Sequence, residues 1–167
     1  MKYLIASDIH GSAECCKKML EWYEEYGCER MILLGDFLYY GRGGAYGYDG
    51  KKVAEMLNSY APVIYAVNGN CDDDEDQMLF EFPIQADYLL ITEGGKAYFC
   101  THGHYYNCGH LPPITGIDVL LTGHTHVPAC ENHIDYIYCN PGSVSLPKGM
   151  SQRSFMILRS TIWLNRR

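Results

Sequence analysis

Through the first 67 residues the apolar positions follow two rhythms. The runs KYLIAS (2–7), RMILLG (30–35) and PVIYAV (62–67) are almost continuously apolar, the pattern of strands covered on both faces. Between them, AECCKKMLEWYEEYG (13–27) places Cys15, Met19, Trp22, Tyr23 and Tyr26 at helical spacing, with Gly27 where a helix would be capped. KKVAEMLNSY (51–60) is amphipathic in the same way, so the first half has a βαβαβ order. Later, ADYLLIT (86–92), KAYFCTH (96–102), DVLLTGH (118–124), IDYIYCN (134–140) and SFMILRS (154–160) are strand-like and leave little room for helices. Gly94-Gly95 reads as a hairpin turn. FLYYGRGGAYGYDG (37–50) reads as a long loop, of the kind that in compact domains is usually functional or mobile. The pattern predicts an α/β fold whose strand ends deliver loops to one edge, the usual place for a ligand site.

Those strand ends carry an unusual chemistry. Asp8 and His10 follow the first strand, Asp36 the second and Asn70 the third; His102 with His104 and His124 with His126 follow later ones. On extended backbone, residues two apart point the same way, so each pair could aim at one ion. Gly35 lets the chain turn sharply before Asp36. Any one of these histidines, taken alone, is more simply a satisfied core or surface side chain. Five strand ends converging on one edge require all those separate explanations to hold together. Carboxylate, amide and imidazole donors with few thiolates suit Mn²⁺, Fe²⁺ or Zn²⁺ rather than Ca²⁺ or an iron–sulfur cluster. Seven ligands are too many for one ion, so two divalent ions are expected, with Mn²⁺ first among the choices.

Composition narrows the partners. The 167 residues fit one domain spanning 1–167, and 20 acidic against 13 basic residues give a net charge of −7. Such a field does not draw in nucleic acid or an anionic membrane, so a phosphate-bearing substrate needs a local positive charge. No apolar run of bilayer length and no secretory leader is apparent, and a soluble, cytoplasmic protein is expected, with a homo-oligomer possible. The eight cysteines include no CxxC pair, so they are expected as reduced thiols, mostly small hydrophobes in apolar segments.

The motif order DIH (8–10), GD (35–36), GNCD (69–72), HGH (102–104) and GHTH (123–126) resembles the calcineurin-like metallophosphoesterases. DQML (76–79), THGH (101–104), NPGSVS (140–145) and PKG (147–149) bring it nearest to the small YfcE-like phosphodiesterases of that family. The resemblance spans most of the chain and implies a four-layer αββα sandwich of two mixed β-sheets flanked by helices. By resemblance, Asp8, His10 and His126 would hold one metal, Asn70, His102 and His124 the other, and Asp36 would bridge them. Asp72 would support the site from behind. The implied activity is hydrolysis of a small phosphodiester by a hydroxide shared between the metals, with no covalent enzyme intermediate.

Cys71 stands where many larger relatives have a histidine that protonates the leaving alcohol, and a thiol is a poorer acid for that task. Either His104 takes over that contact, or the esters need little protonation; Cys71 as ligand or nucleophile is a further alternative. Asp73, Asp74, Glu75 and Asp76 are expected to cap the helix that runs into QMLFEF. After GD the larger phosphatases carry a supporting Asp-Arg or Asn-bearing stretch, where this chain has Tyr39 and Tyr40; Arg42 is expected to face solvent, and a terminal strand of the relatives to be short or missing. Two rivals remain: a phosphomonoesterase or nucleotide phosphatase of the same fold, and a non-catalytic scaffold similar to the retromer subunit.

Overall fold

The computed structural model describes residues 1–39 and 47–159. Tyr40, Arg42 and the end of the chain lie outside the described residues, and with them the expectations made there. Among the described residues the strands are β1 (Lys2–Ala6), β2 (Arg30–Leu33), β3 (Ile64–Ala66), β4 (Tyr88–Glu93), β5 (Lys96–Thr101), β6 (Val119–Leu121), β7 (Ala129–Asn132), β8 (Ile137–Asn140) and β9 (Met156–Arg159). The α-helices are α1 (Ala13–Glu25) and α2 (Gly50–Asn58).

One sheet has the order β3-β2-β1-β9 and the other β4-β5-β6-β8-β7. Each mixes parallel with antiparallel pairs: β1, β2 and β3 run parallel and β9 opposes β1, while β5, β6 and β8 run parallel between antiparallel edges. The two faces of the first sheet feed two cores. Leu4, Ala6, Met31 and Leu33 pack with the helices, whereas Tyr3, Ile5, Ile32 and Leu34 pack with Tyr98, Cys100, Val119 and Leu121 of the second sheet. This period-two division is why these strands read as continuously apolar. The expected sandwich of two mixed sheets with flanking helices is the architecture observed. Both described α-helices belong to the core on the outer face of the first sheet; on the second sheet, Phe99 is met by Tyr106 from the helix-free 102–118 segment.

Helix α1 begins at Ser12, whose hydroxyl accepts from the Cys15 amide at 3.3 Å, and ends before Gly27 at φ +58°. Its buried stripe is Cys15, Cys16, Met19, Leu20 and Tyr23; the expected Tyr26 is 45% exposed. Asp49 caps α2 in the same way, accepting from the Lys52 amide at 3.0 Å. Residues 62–67 are not strand throughout. Ala61–Val63 forms a 3₁₀ turn around Pro62, whose missing N–H keeps it off the ladder, and Tyr65, paired with Ile32, is exposed because β3 is an edge strand. Strand β7 was not predicted: ACEN is mostly exposed and lacks apolar alternation, as an edge strand can. The Gly94-Gly95 hairpin is as expected, both residues having positive φ.

All eight cysteines are free, with Cys108 and Cys130 exposed rather than in apolar cover. Residues 74–79 form a 3₁₀ rather than an α-helix, in which the Asp73 amide donates to the Asp76 carboxylate at 3.0 Å. The acidic run is thus partly cap, as expected, and Asp76 is buried by that role.

Candidate metal centre

The loops after β1, β2, β3, β5 and β6 meet at one edge, but not by extended backbone. Asp8, His10, Asp36, His124 and His126 all have left-handed φ, between 49° and 65°. This overturns the idea that residues two apart share a face by strand geometry: Asp8 with His10 and His124 with His126 converge because both members bend the chain, while His102 and His104 lack such backbone, the first being buried and the second exposed. Such conformations cost on the order of 1–3 kcal/mol each and persist only where the surroundings over-determine them.

The surroundings do so here. Ser143 and Ser145 both donate to the Asp8 carbonyl, at 2.8 and 3.0 Å, and the Val144 amide donates to the Ser7 carbonyl at 3.1 Å. The His10 amide donates to the Asp36 carbonyl at 2.9 Å, lacing the first two loops together. Asp72 accepts from the amides of Asp36, Phe37 and Gly69 at 2.8, 2.7 and 2.8 Å, holding the second loop to the third. Gly35, at φ +87°, passes so close to Gly69 that a Cβ would lie 2.5 Å from the Gly69 nitrogen. Asn140 donates to the Gly123 carbonyl at 2.7 Å and to the Thr125 hydroxyl at 3.1 Å, fixing the turn that carries His124.

At the floor, the Nε2 atoms of His10 and His126 face one another at 3.2 Å, with Asp8 Oδ1 at 3.6 Å from the first and 3.1 Å from the second. Asp36 Oδ2 lies 3.7 Å from His10 Nε2 and 3.4 Å from His102 Nε2, between the two groups of the expected ligand set. His102 Nε2 is also 3.0 Å from Asn70 Oδ1. The far nitrogens set the tautomers: His102 Nδ1 donates to the Leu34 carbonyl at 2.6 Å, and His126 Nδ1 to the Leu146 carbonyl at 2.5 Å. In neutral imidazoles this leaves each Nε2 as a lone pair aimed at oxygen or nitrogen acceptors. A cation bound among them would make that arrangement favourable.

Among the described residues, Asp8 Oδ1 and His10 Nδ1, both buried, have no hydrogen-bond partner beyond the imidazole contacts already given for Asp8. Three sets could each hold an ion: Asp8, His10 and His126; His10, Asp36 and Cys71; and Asp8, Asp36 and His102, each within 4.8 Å. The residues therefore fit a divalent cation. Burial works against charge on Asp8 and Asp36, yet the contacts with His10 and His126, and with His102, hold their carboxyls below the usual range. His102 is raised despite its burial, because Asp36 favours its charged form. Burial pushes Asp72 up to about 6 against the three amides that hold it down.

The remaining candidates sit higher. A depression of about 510 Å³ is lined by His10, Asp36, Asn70, His124 and His126, together with Tyr39, Cys71 and the 145–148 segment. His124 packs its ring 5.1 Å from that of His102. His104 is exposed, with its ring 5.4 Å from His102 and 6.3 Å from His124, and lines a neighbouring depression with Asp87, Tyr88 and Tyr105. Burial first, then the Asp36 carboxylate, push the Cys71 thiol up to about 12. Sequence reasoning missed what NPGSVS and PKG do. Ser143 and Ser145 brace Asp8, and Lys148 enters the depression; the motifs were visible, but the Asp8 carbonyl that the serines hold is more than 100 residues away.

The sequence matches the calcineurin-like phosphoesterase superfamily domain over residues 1–161. It is 42% identical to the phosphodiesterase YfcE of Escherichia coli over 164 residues, 97% of this chain and 89% of that protein. The solved structure of YfcE, described as a phosphoesterase, superposes with a TM-score of 0.90 over 95% of this chain and 88% of that one. Vacuolar protein sorting 29 of Cryptosporidium parvum shares the fold, with a TM-score of 0.66 at 18% identity over 93% of this chain and 83% of its own. With a family match over nearly its whole length and a buried cluster suited to divalent cations, the chain belongs to the calcineurin-like phosphoesterase superfamily.

Proposed function

We propose that this protein is a metal-dependent phosphodiesterase acting on small diesters. Asp8, His10 and His126 would hold one divalent ion, Asn70, His102 and His124 a second, and Asp36 would serve both; Mn²⁺ is the first choice, with Fe²⁺ and Zn²⁺ as alternatives. The observation that carries the reading is the buried meeting of two imidazole Nε2 atoms and the Asp8 carboxylate at 3.1–3.6 Å, with no other hydrogen-bond partner for the carboxylate oxygen among the described residues. Bound there, the ions would lower the pKa of water to the neutral range and neutralise the phosphate oxygens. The chain's own residues supply the rest. The carbonyls of Leu34 and Leu146 keep His102 and His126 in the tautomer that presents Nε2, and Asp72 keeps Asp36 in place through its backbone. His104, exposed beside His102 and His124, would protonate a leaving alcohol.

The identity to a named phosphodiesterase supports the diester reading. No described helix is long and apolar enough to cross a membrane. The substrate in this proposal is a small soluble diester, and the compartment proposed is the cytoplasm. The monoesterase alternative gains one observation, the lysine in the depression, since a dianion profits from an extra cation. Turnover of bis-p-nitrophenyl phosphate against p-nitrophenyl phosphate, by chelator-stripped protein refilled with Mn²⁺, tests the proposal. Diester hydrolysis that returns with metal supports it; preference for the monoester, or no turnover with Mn²⁺, Fe²⁺ or Zn²⁺, refutes it.

A further inference from the structure

With cations bound, this site would carry positive charge at two depths. The cluster suited to cations lies at the floor, where Asp8, His10, Asp36, His102 and His126 are 0–5% exposed. Lys148 is exposed and lines the same depression higher up. It is there by construction: its amide donates to the His126 carbonyl at 3.1 Å, and His126 Nδ1 in turn donates to the Leu146 carbonyl. The Ser151 hydroxyl closes the turn behind it, donating to the Lys148 carbonyl at 2.6 Å. The segment that orients a candidate ligand thus also carries the lysine.

Among the described residues nothing engages the Lys148 ammonium, and it is the one lysine or arginine of those lining the depression. In a chain of net charge −7, an unpaired cation beside such a cluster is available to a ligand. The phosphate of a diester carries a single negative charge, which cations at the floor would neutralise. We infer that Lys148 recognises a second anionic group, a carboxylate or terminal phosphate on the retained arm of the substrate, making the protein selective for diesters with an acidic arm. This rests on the phosphodiesterase reading and adds a substrate class to it.

The experiment compares three p-nitrophenyl diesters on the manganese-loaded protein: one with a carboxyethyl arm, bis-p-nitrophenyl phosphate, and p-nitrophenylphosphorylcholine with its cationic arm. The expected order of kcat/KM is acidic, then neutral, then cationic. Lys148→Ala lowers the acidic-to-cationic ratio about fivefold, through KM, as for one partly screened charge pair. Lys148→Arg keeps the preference, Lys148→Glu inverts it, and added salt compresses it in the parent protein. An unchanged ratio in Lys148→Ala overturns the inference, as does an equal loss with all three esters, which would put the ammonium on the scissile phosphate. If the parent protein hydrolyses none of the three, the diesterase reading falls first and this inference with it.

Discussion

At the residue scale, the site is a set of charges that depend on one another. His102 shows the sign of that dependence. Burial lowers its tendency to protonate, but Asp36 outweighs burial, so its folded pKa lies above the ordinary value of 6.5. A raised histidine pKa contributes stability that is fully present below the unfolded value and is lost as pH rises through the folded one. The contribution of His102 to the chelated protein is therefore expected to be lost as pH rises above about 6.5, and comparison with His102→Gln separates it from His104 and His124, whose burial-lowered pKa values act in the opposite sense. A divalent ion held there would take the place of the proton, so the stabilising increment from Mn²⁺ is expected to grow over the same window. Thermal melts with chelator and with Mn²⁺ at several pH values check both trends. Asp72 has a different task. It is a purely acceptor side chain facing three amide donors, and Asp72→Asn turns an NH₂ toward them. A loss of about 1–3 kcal/mol is expected, with weaker manganese binding because Asp36 shifts. Urea unfolding and metal titration would measure the two effects.

At the element scale, secondary structure brings the loops to one edge and a second layer of hydrogen bonds bends them. The segment after β8 is the clearest case, since Ser143 and Ser145 both hold the carbonyl of Asp8 in its left-handed turn. The double change Ser143→Ala with Ser145→Ala is expected to cost about 1–3 kcal/mol and to reduce manganese affinity about tenfold. Denaturation and metal titration of the double variant are the test. Helices and apolar strands were legible in the sequence because period 3.6 and continuous apolar runs reflect burial that local composition must satisfy. Edge elements were not: β7 has no inward apolar face to conserve a pattern, and the start of β3 is consumed by a turn at Pro62. The 3₁₀ form of residues 74–79 was likewise hidden, because acidic capping residues suit either kind of helix.

At the scale of the whole molecule, metal should behave as part of the fold, since the candidate ligands come from loops of both sheets. Binding to the folded form alone contributes about 2.7 kcal/mol at a ligand concentration 100 times the dissociation constant. For a chain of this size that corresponds to a rise in Tm of about 5–10 °C on adding saturating Mn²⁺ to stripped protein. A rise within 1 °C, measured by calorimetry, would argue against a site spanning the two sheets. By itself the sequence determined the α/β class and the strand ends, and it marked Asp8, His10, Asp36, Asn70, His102, His124 and His126 as candidate ligands, because strand periodicity and donor chemistry are properties of residue type and spacing. It could not determine how those side chains converge. Left-handed backbone at Asp8, His10, Asp36, His124 and His126 is unfavourable locally, and only contacts from distant segments, Ser143, Ser145 and Asp72 among them, stabilise it. The placement of Lys148 beside that cluster was decided in the same way, since it depends on a hydrogen bond to His126 that exists only once the chain has folded.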